Sequence, residues 1–349
     1  MSGLELNRLG DWFARKGRTG RVTATPISGG QSNPTFFVDV GDDRFVLRKK
    51  PSGALLKGAH AIEREFRVMQ ALGSTDVPVP KVLWLEENPD TLGTPFYVME
   101  RVEGRVFSDC TLPGISPEQR REMFLDLART LARLHAVRPD QIGLKDFGRP
   151  GNYFERQIAR WSGQYLNSDG PRIPELDFLS EWLPANMPAD DGAVSIAHGD
   201  FRLGNMMFHP TEPRIVAVLD WELSTLGHPL ADLGFCVIPW HSAPDEYGGL
   251  LGTGWEALGV PKLADVLQEY YQHARATVQL KDVHVAFAMF RFAVIFHGIA
   301  DRARAGNANA NEAAELGPLA ERFARRACDL VSPAQQNTPT THRVLETRH

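Results

Sequence analysis

One spacing limits this chain more than any other: His198-Gly199-Asp200-Phe201-Arg202-Leu203-Gly204-Asn205, with Asp220-Trp221-Glu222 beginning fifteen residues after Asn205. The first segment sits in VSIAHGDFRLGNMMFHP, and the second closes PRIVAVLDWE. Both read as short apolar strands with polar residues between and after them, so the hairpin they form brings three side-chain oxygens together. Alone, an HGD triplet or an aspartate ending a strand reads as a turn or a cap. The ordered set reads as chemistry. A carboxylate that orients a hydroxyl and accepts its proton, beside oxygen ligands for Mg²⁺, is what phosphoryl transfer requires. Asp200 supplies the first as catalytic base, and Asn205 with Asp220 the second as metal ligands. Arg202 stands at i+2 from Asp200, on the same side of an extended loop, where its charge can meet the transferred phosphoryl group. His198 reads as scaffold.

The rest of the chain divides by periodicity. VTATPI, the turn SGGQSNP, TFFVDV, a polar GDDR turn and FVLR describe a small antiparallel sheet. AIEREFRVMQAL follows, with Ile62, Phe66, Met69 and Leu72 at helical spacing before Gly73. After the proline-rich VPVPKVLWL, the run TPFYVMERVEG reads as one more strand and a connector. From Ser116 onward, helical patterns dominate, beginning with an N-cap serine and Pro117 in the first turn. These patterns predict an α+β fold of two lobes: residues 1–103 as a sheet-based nucleotide-binding lobe and 104–331 as a larger, mainly helical catalytic and substrate-binding lobe. The polar, aperiodic stretch 332–349 reads as a disordered tail.

The smaller lobe carries the matching nucleotide equipment. Gly29, Gly30, Ser32 and Asn33 lie in a turn whose backbone N–H groups can face phosphates, although such a turn is more often only a hairpin and gains value from the other parts. Alternation along FVLR puts Val46 and Arg48 on one face, making Arg48 the cation for the α- and β-phosphates, while Lys49 points the other way. At 100° per residue from Ile62, Phe66 falls at about 40°, Met69 at about -20° and Glu65 at about -60°, whereas Glu63 falls at about 100°. Glu65 therefore lies within the buried face and needs a partner, which Arg48 can be. The strand around Glu100 and Val102 becomes the segment whose backbone meets adenine. The cofactors expected are ATP and Mg²⁺.

Composition narrows the partners. A length of 349 residues with 43% hydrophobic content allows two core-bearing lobes. A net charge of -5 with interspersed signs offers no broad basic surface for nucleic acid. Cys110, Cys236 and Cys328 form no CxxC or Cys/His cluster, so neither a disulfide framework nor a zinc site is expected, and a cytoplasmic setting fits. Residues 1–20 contain no continuous apolar core, so no signal peptide or membrane span is expected there. The expected partner is a small molecule bearing a hydroxyl.

The segments VLRKKPSGALL, AHAIEREFRVMQAL, GTPFYVMERVEGRVF, GRPGNYFERQIARWSGQY, HGDFRLGNMMFHP and VLDWELSTLGHPLADLG resemble the aminoglycoside phosphotransferase and choline kinase group, whose fold is similar to that of protein kinases. The resemblance is closest to the kinase-like domain fused to acyl-CoA dehydrogenase in some larger proteins. It implies that Asp200 is the base, that Asn205 and Asp220 bind Mg²⁺, and that Glu65 pairs with the phosphate-binding cation. It also implies that Asp232 braces the catalytic loop as a structural residue. The chain departs from the wider pattern in having Arg48 where lysine is usual, and a guanidinium is not interchangeable with an ammonium. The same resemblance points to a hydroxyacyl-CoA or hydroxy acid as acceptor. Arg156 and Arg160, with Lys145, Arg149 and Arg172 nearby, suit an anionic acceptor at least as well as a polycationic aminoglycoside, and can equally be solvated helix faces. A nucleotide-binding pseudokinase is the other alternative, against which the complete set Asp200, Asn205 and Asp220 speaks.

Overall fold

The computed structural model describes residues 4–27, 33–51, 61–275, 278–304 and 316–332. The tail read at 332–349 lies outside the described residues except for Ser332, which caps the last helix. The described chain is α+β, an antiparallel sheet in the N-terminal region followed by mainly helical structure. It forms two compact units: Met1–Tyr153 with Asp190–Gln279, and Phe154–Ala189 with Leu280–His349. These units divide the chain differently from the 103/104 boundary read in the sequence.

In the first unit, five strands pair antiparallel in the order β1-β2-β3-β5-β4: β1 Val22–Pro26, β2 Thr35–Val40, β3 Asp43–Lys49, β4 Val82–Glu86 and β5 Phe96–Glu100. β4 falls in the run that the sequence reading treated only as proline-rich. Its register on β5 slips between Val82 and Trp84. A first helix, α1 (Leu6–Arg15), also went unassigned, although Leu9, Trp12 and Phe13 are spaced i, i+3, i+4. Those three side chains are nearly fully buried against Val38, Val40, Phe45, Leu47, Phe96 and Val98. Each contributes roughly 2 kcal/mol by leaving water. α1 thus covers one sheet face, and strand alternation leaves the opposite side chains of β3, Val46 and Arg48, on the other.

α2 (Ile62–Leu72) packs against β4 and β5. Its buried stripe is Ile62, Glu65, Val68, Met69 and Leu72. Phe66 is only half-buried and touches the Tyr97 ring at 6.1 Å between centroids, so Val68 takes the core place the wheel gave to Phe66. Glu63 is exposed.

Three further helices of this unit follow. α3 (Pro117–Ala136) starts as its sequence dictates, with Ser116 Oγ accepting from the Gln119 N–H at 3.3 Å. β6 (Arg105–Val106), β8 (Met206–Phe208) and β9 (Ile215–Val218) form one small sheet. β7 (Ser195–Ala197) pairs with β10 (Thr225–Gly227) in another. α6 (Pro229–Cys236) and α7 (Leu263–His273) complete the unit, α7 lying along α3.

The second unit contains α4 (Tyr153–Leu166, from Phe154 on), α5 (Pro174–Asn186), α8 (Asp282–Arg304) and α9 (Leu319–Val331). By length and composition α8 could cross a membrane, but 72% of its apolar window is buried. Phe292 and Phe296 pack on Phe323 of α9. Its apolar character is that of a core helix.

Candidate active site

The candidate catalytic loop runs between β7 and β8 and is pinned from three directions. Gly199 adopts φ +85°, and a Cβ there would lie 2.8 Å from the Leu223 carbonyl oxygen, so only glycine turns the chain here without displacing backbone. The N–H groups of His198 and Gly199 donate to the two carboxylate oxygens of Asp232 at 2.6 and 2.9 Å. Burial pushes the Asp232 carboxyl upward, but His135, whose Nε2 lies 3.6 Å from Oδ2, and the Gly199 N–H hold it below its ordinary value. His135 is itself anchored, its Nδ1 lying 2.7 Å from Tyr270 Oη. Finally, His198 Nε2 lies 2.9 Å from the Leu219 carbonyl, and its Nδ1 accepts from the Asp200 N–H at 3.2 Å. These partners fix the Nε2–H tautomer. His198 is fully buried and serves as scaffold between two loops.

Leu219 bridges those loops from both ends of its peptide unit, because its N–H donates to the Asn205 carbonyl at 2.9 Å. Asn205 and Asp220 are thereby held side by side. Asp220 adopts φ +63°, a left-handed conformation that aspartate tolerates better than a β-branched residue does. Trp221 fills the space behind, buried, with its ring 4.7 Å from that of His198 and its Nε1 donating to the Val218 carbonyl at 2.9 Å.

Within this frame, Asn205 Nδ2 donates to the Asp200 carbonyl at 2.8 Å and to Asp200 Oδ2 at 2.7 Å. Arg202 Nε lies 3.4 Å from both Asp200 carboxylate oxygens. Arg48 reaches from β3: its Nε is 2.8 Å from Glu65 Oε2, and its Nη2 is 3.0 Å from Asp220 Oδ1 and 3.6 Å from Glu222 Oε2. Burial opposes the Arg48 charge, yet Glu65, Tyr97, Asp220 and Glu222 together raise its pKa further above the ordinary value. Burial pushes the Glu65 carboxyl up to about 7, with the Arg48 guanidinium pulling the other way. Tyr97 Oη donates to Glu65 Oε2 at 3.1 Å, and Asn33 Nδ2 to Oε1 at 2.8 Å.

Arg48, Glu65, Glu100, Val102, Arg202, Asn205 and Asp220 all line one cavity of about 740 Å³ in the first unit. Its apolar wall includes Ile27, Phe37, Val46, Met69, Met99, Met207 and Leu219. Asp200 lies beside this lining through Asn205 and Arg202. Gly29, Gly30 and Ser32 lie outside the described residues. Asn33, read from the sequence as part of a phosphate-facing turn, is fully buried and hydrogen-bonded to Glu65, because packing rather than turn chemistry decides where its amide points. Lys49 turns to the opposite sheet face and donates to the Leu92 carbonyl at 2.5 Å. Two members of the charge network were missed from the sequence. Glu222 was legible, standing at i+2 from Asp220, but Tyr97 had no local signal beyond its alternation on β5.

Asn205 and Asp220 present hard oxygens, which suit Mg²⁺ when nucleotide phosphates supply the remaining ligands. Among the described residues no group of three or more His, Cys, Asp or Glu side chains could hold a metal unaided.

The model of the family described as "Phosphotransferase enzyme family" matches residues 23–270. The Arabidopsis thaliana protein described as "Probable acyl-CoA dehydrogenase IBR3" is 44% identical over 303 residues, covering 82% of this chain and 37% of the relative. Acyl-CoA dehydrogenase family member 11 of Rattus norvegicus is 40% identical over 324 residues, covering 89% of this chain and 41% of the relative. This chain therefore spans about two fifths of the length of these curated relatives. A solved structure from Ralstonia eutropha JMP134, described as a "putative aminoglycoside phosphotransferase", superposes with a TM-score of 0.83 at 42% identity, covering 94% of this chain and 99% of the other. With a family match running from the first strand of the sheet through the catalytic loop to α7, this chain belongs to the phosphotransferase enzyme family.

Proposed function

We propose that this phosphotransferase uses ATP with Mg²⁺ to phosphorylate a hydroxyl group of a small molecule. The observation that carries the proposal is the meeting, at one cavity, of Arg48 held by Glu65 with Asn205 and Asp220, and of Asp200 held by Asn205. In this reading Asp200 Oδ2 is fixed by the Asn205 amide, so Oδ1 orients the acceptor hydroxyl and takes its proton. Arg48 holds the α- and β-phosphates, and Arg202 faces the charge that develops on the transferred group. The backbone around Glu100 and Val102 would meet adenine, in the part of the cavity that Met69, Met99 and Met207 also line. Asn205 and Asp220 hold Mg²⁺, which neutralises phosphate charge when bound. Functionally, residues 1–103 form the nucleotide part and 104–331 the catalytic and acceptor part. A reducing, cytoplasmic setting is part of the same reading, and the free thiols of Cys110, Cys236 and Cys328 suit it.

For the acceptor we favour a hydroxyacyl-CoA or a related hydroxy acid. Two matched relatives are described as acyl-CoA dehydrogenases. The second unit is also cationic where it carries Trp161, with Arg160 at 5.1 Å and Arg291 at 5.7 Å from the ring. ADP release with ATP and Mg²⁺, measured against hydroxyacyl-CoA thioesters, free hydroxy acids, choline, homoserine and aminoglycosides, tests this. Acceptor-dependent release with the thioesters or acids supports the proposal. Release with aminoglycosides alone makes the chain a drug-modifying enzyme, and no acceptor-dependent release together with retained nucleotide binding makes it a pseudokinase.

A further inference from the structure

Tyr247 is one of four described non-glycine residues with positive φ, at +67°, in the left-handed region that disfavours any residue with a Cβ. Glycine or asparagine would occupy the position at lower cost. The surrounding turn imposes this conformation. The Gly248 N–H donates to the Pro244 carbonyl at 3.0 Å, the Gly249 N–H to the Ala243 carbonyl at 3.0 Å, and the Ala243 N–H to the buried Glu246 carboxylate at 2.9 Å. A Cβ on Gly249 would lie 2.0 Å from the Ser242 carbonyl oxygen, so the turn admits no other residue there.

What this closed turn presents is an aromatic ring, 42% exposed, with the Arg202 guanidinium carbon 5.1 Å from its centroid. Arg202 also meets the Asp200 carboxylate, Nε at 3.4 Å. Room for this arm comes from Gly204, where a Cβ would lie 2.5 Å from Arg202 Nη1. Three features far apart in cause therefore converge on one guanidinium: a strained turn that supplies the ring, a glycine that supplies the space, and a carboxylate that supplies the charge. An unsupported arginine has several rotatable bonds and loses side-chain entropy when it is fixed at the moment of reaction. A ring face in contact holds it beforehand.

We infer that Tyr247 is a positioning residue for phosphoryl transfer, acting through Arg202, whose charge it holds beside Asp200 where the transferred group passes. The inference rests on the phosphotransfer reading above. It requires the ring and not the hydroxyl, so Tyr247→Phe keeps the function and Tyr247→Leu loses it. Gly204→Ala is the complementary change: the atom it meets is the end of a flexible side chain, so the fold survives while the guanidinium moves.

The test uses the full chain and no acceptor. Calorimetry compares MgADP alone with MgADP plus aluminium fluoride, the fluoride standing in for the phosphoryl group in flight. MgADP affinity stays within about two-fold in all variants. The fluoride complex binds about ten-fold more weakly in Tyr247→Leu and in Gly204→Ala, and as in wild type in Tyr247→Phe. A merely structural tyrosine would weaken both ligands together and lower the melting temperature. The inference is overturned if Tyr247→Leu binds the fluoride complex like wild type, or if Tyr247→Phe loses as much as Tyr247→Leu. A wild type that binds no MgADP overturns the nucleotide reading and this inference with it, which is a different result from the other two.

Discussion

Arg48 and Lys49 are adjacent cations with opposite fates, since β3 sends one into the cavity with Glu65 and the other to the Leu92 carbonyl on the far face. Arg48→Ala should weaken MgATP binding by at least ~10-fold in calorimetry, and Lys49→Ala by less than about two-fold, because only the former removes a desolvated cation from the phosphates. Equal losses would mean that the strand register does not decide. Glu65 gives a pH prediction. Its native value of about 7 lies above the ordinary 4.5, so its contribution to stability is fully present below about 4.5 and is lost as pH rises through about 7. Without nucleotide, the wild-type melting temperature should therefore fall more steeply between about pH 5 and about pH 8 than that of Glu65→Gln, which cannot ionise. Parallel pH profiles would contradict this. Both residues were legible because alternation and the 100° helical step are local rules. Asn33 and Tyr247 were not, because their directions are set by tertiary packing around turns whose residues any surface loop could contain.

Helices with strong local signals were readable at the scale of elements, and α3 is the clearest case. Ser116→Ala removes the side-chain acceptor for the Gln119 N–H and should cost about 1 kcal/mol, measured by denaturant unfolding, with no change in MgATP affinity. The missed elements had signals that competed with others. The prolines before β4 hid a strand, and the charges in α1 masked an apolar i, i+3, i+4 triplet. In α2, Val68 rather than Phe66 is fully buried, and the Phe66 ring lies against Tyr97. The loop bearing His198 to Asn205 depends on α6 for its shape. Asp232→Ala leaves the buried N–H groups of His198 and Gly199 without their acceptor and should cost about 2–4 kcal/mol, together with a fall in turnover. An unfolding curve superposable on wild type would show that water or another group replaces the brace.

For the whole molecule, the sequence showed where strands give way to helices, but not that residues 154–189 form a compact unit with residues beyond 279, since no local pattern records pairing over such a separation. The proposed mechanism has Asp200 accept the hydroxyl proton while the rest of the cavity binds the nucleotide. The most direct measurement compares wild type and Asp200→Asn for MgATP affinity by calorimetry and for ADP release with the acceptor that the panel identifies. Affinity should be unchanged within about two-fold, and turnover should fall by at least ~10²-fold, because the amide keeps the shape but accepts no proton. An Asp200→Asn enzyme that turns over at the wild-type rate would contradict the assignment of the base and the mechanism built on it.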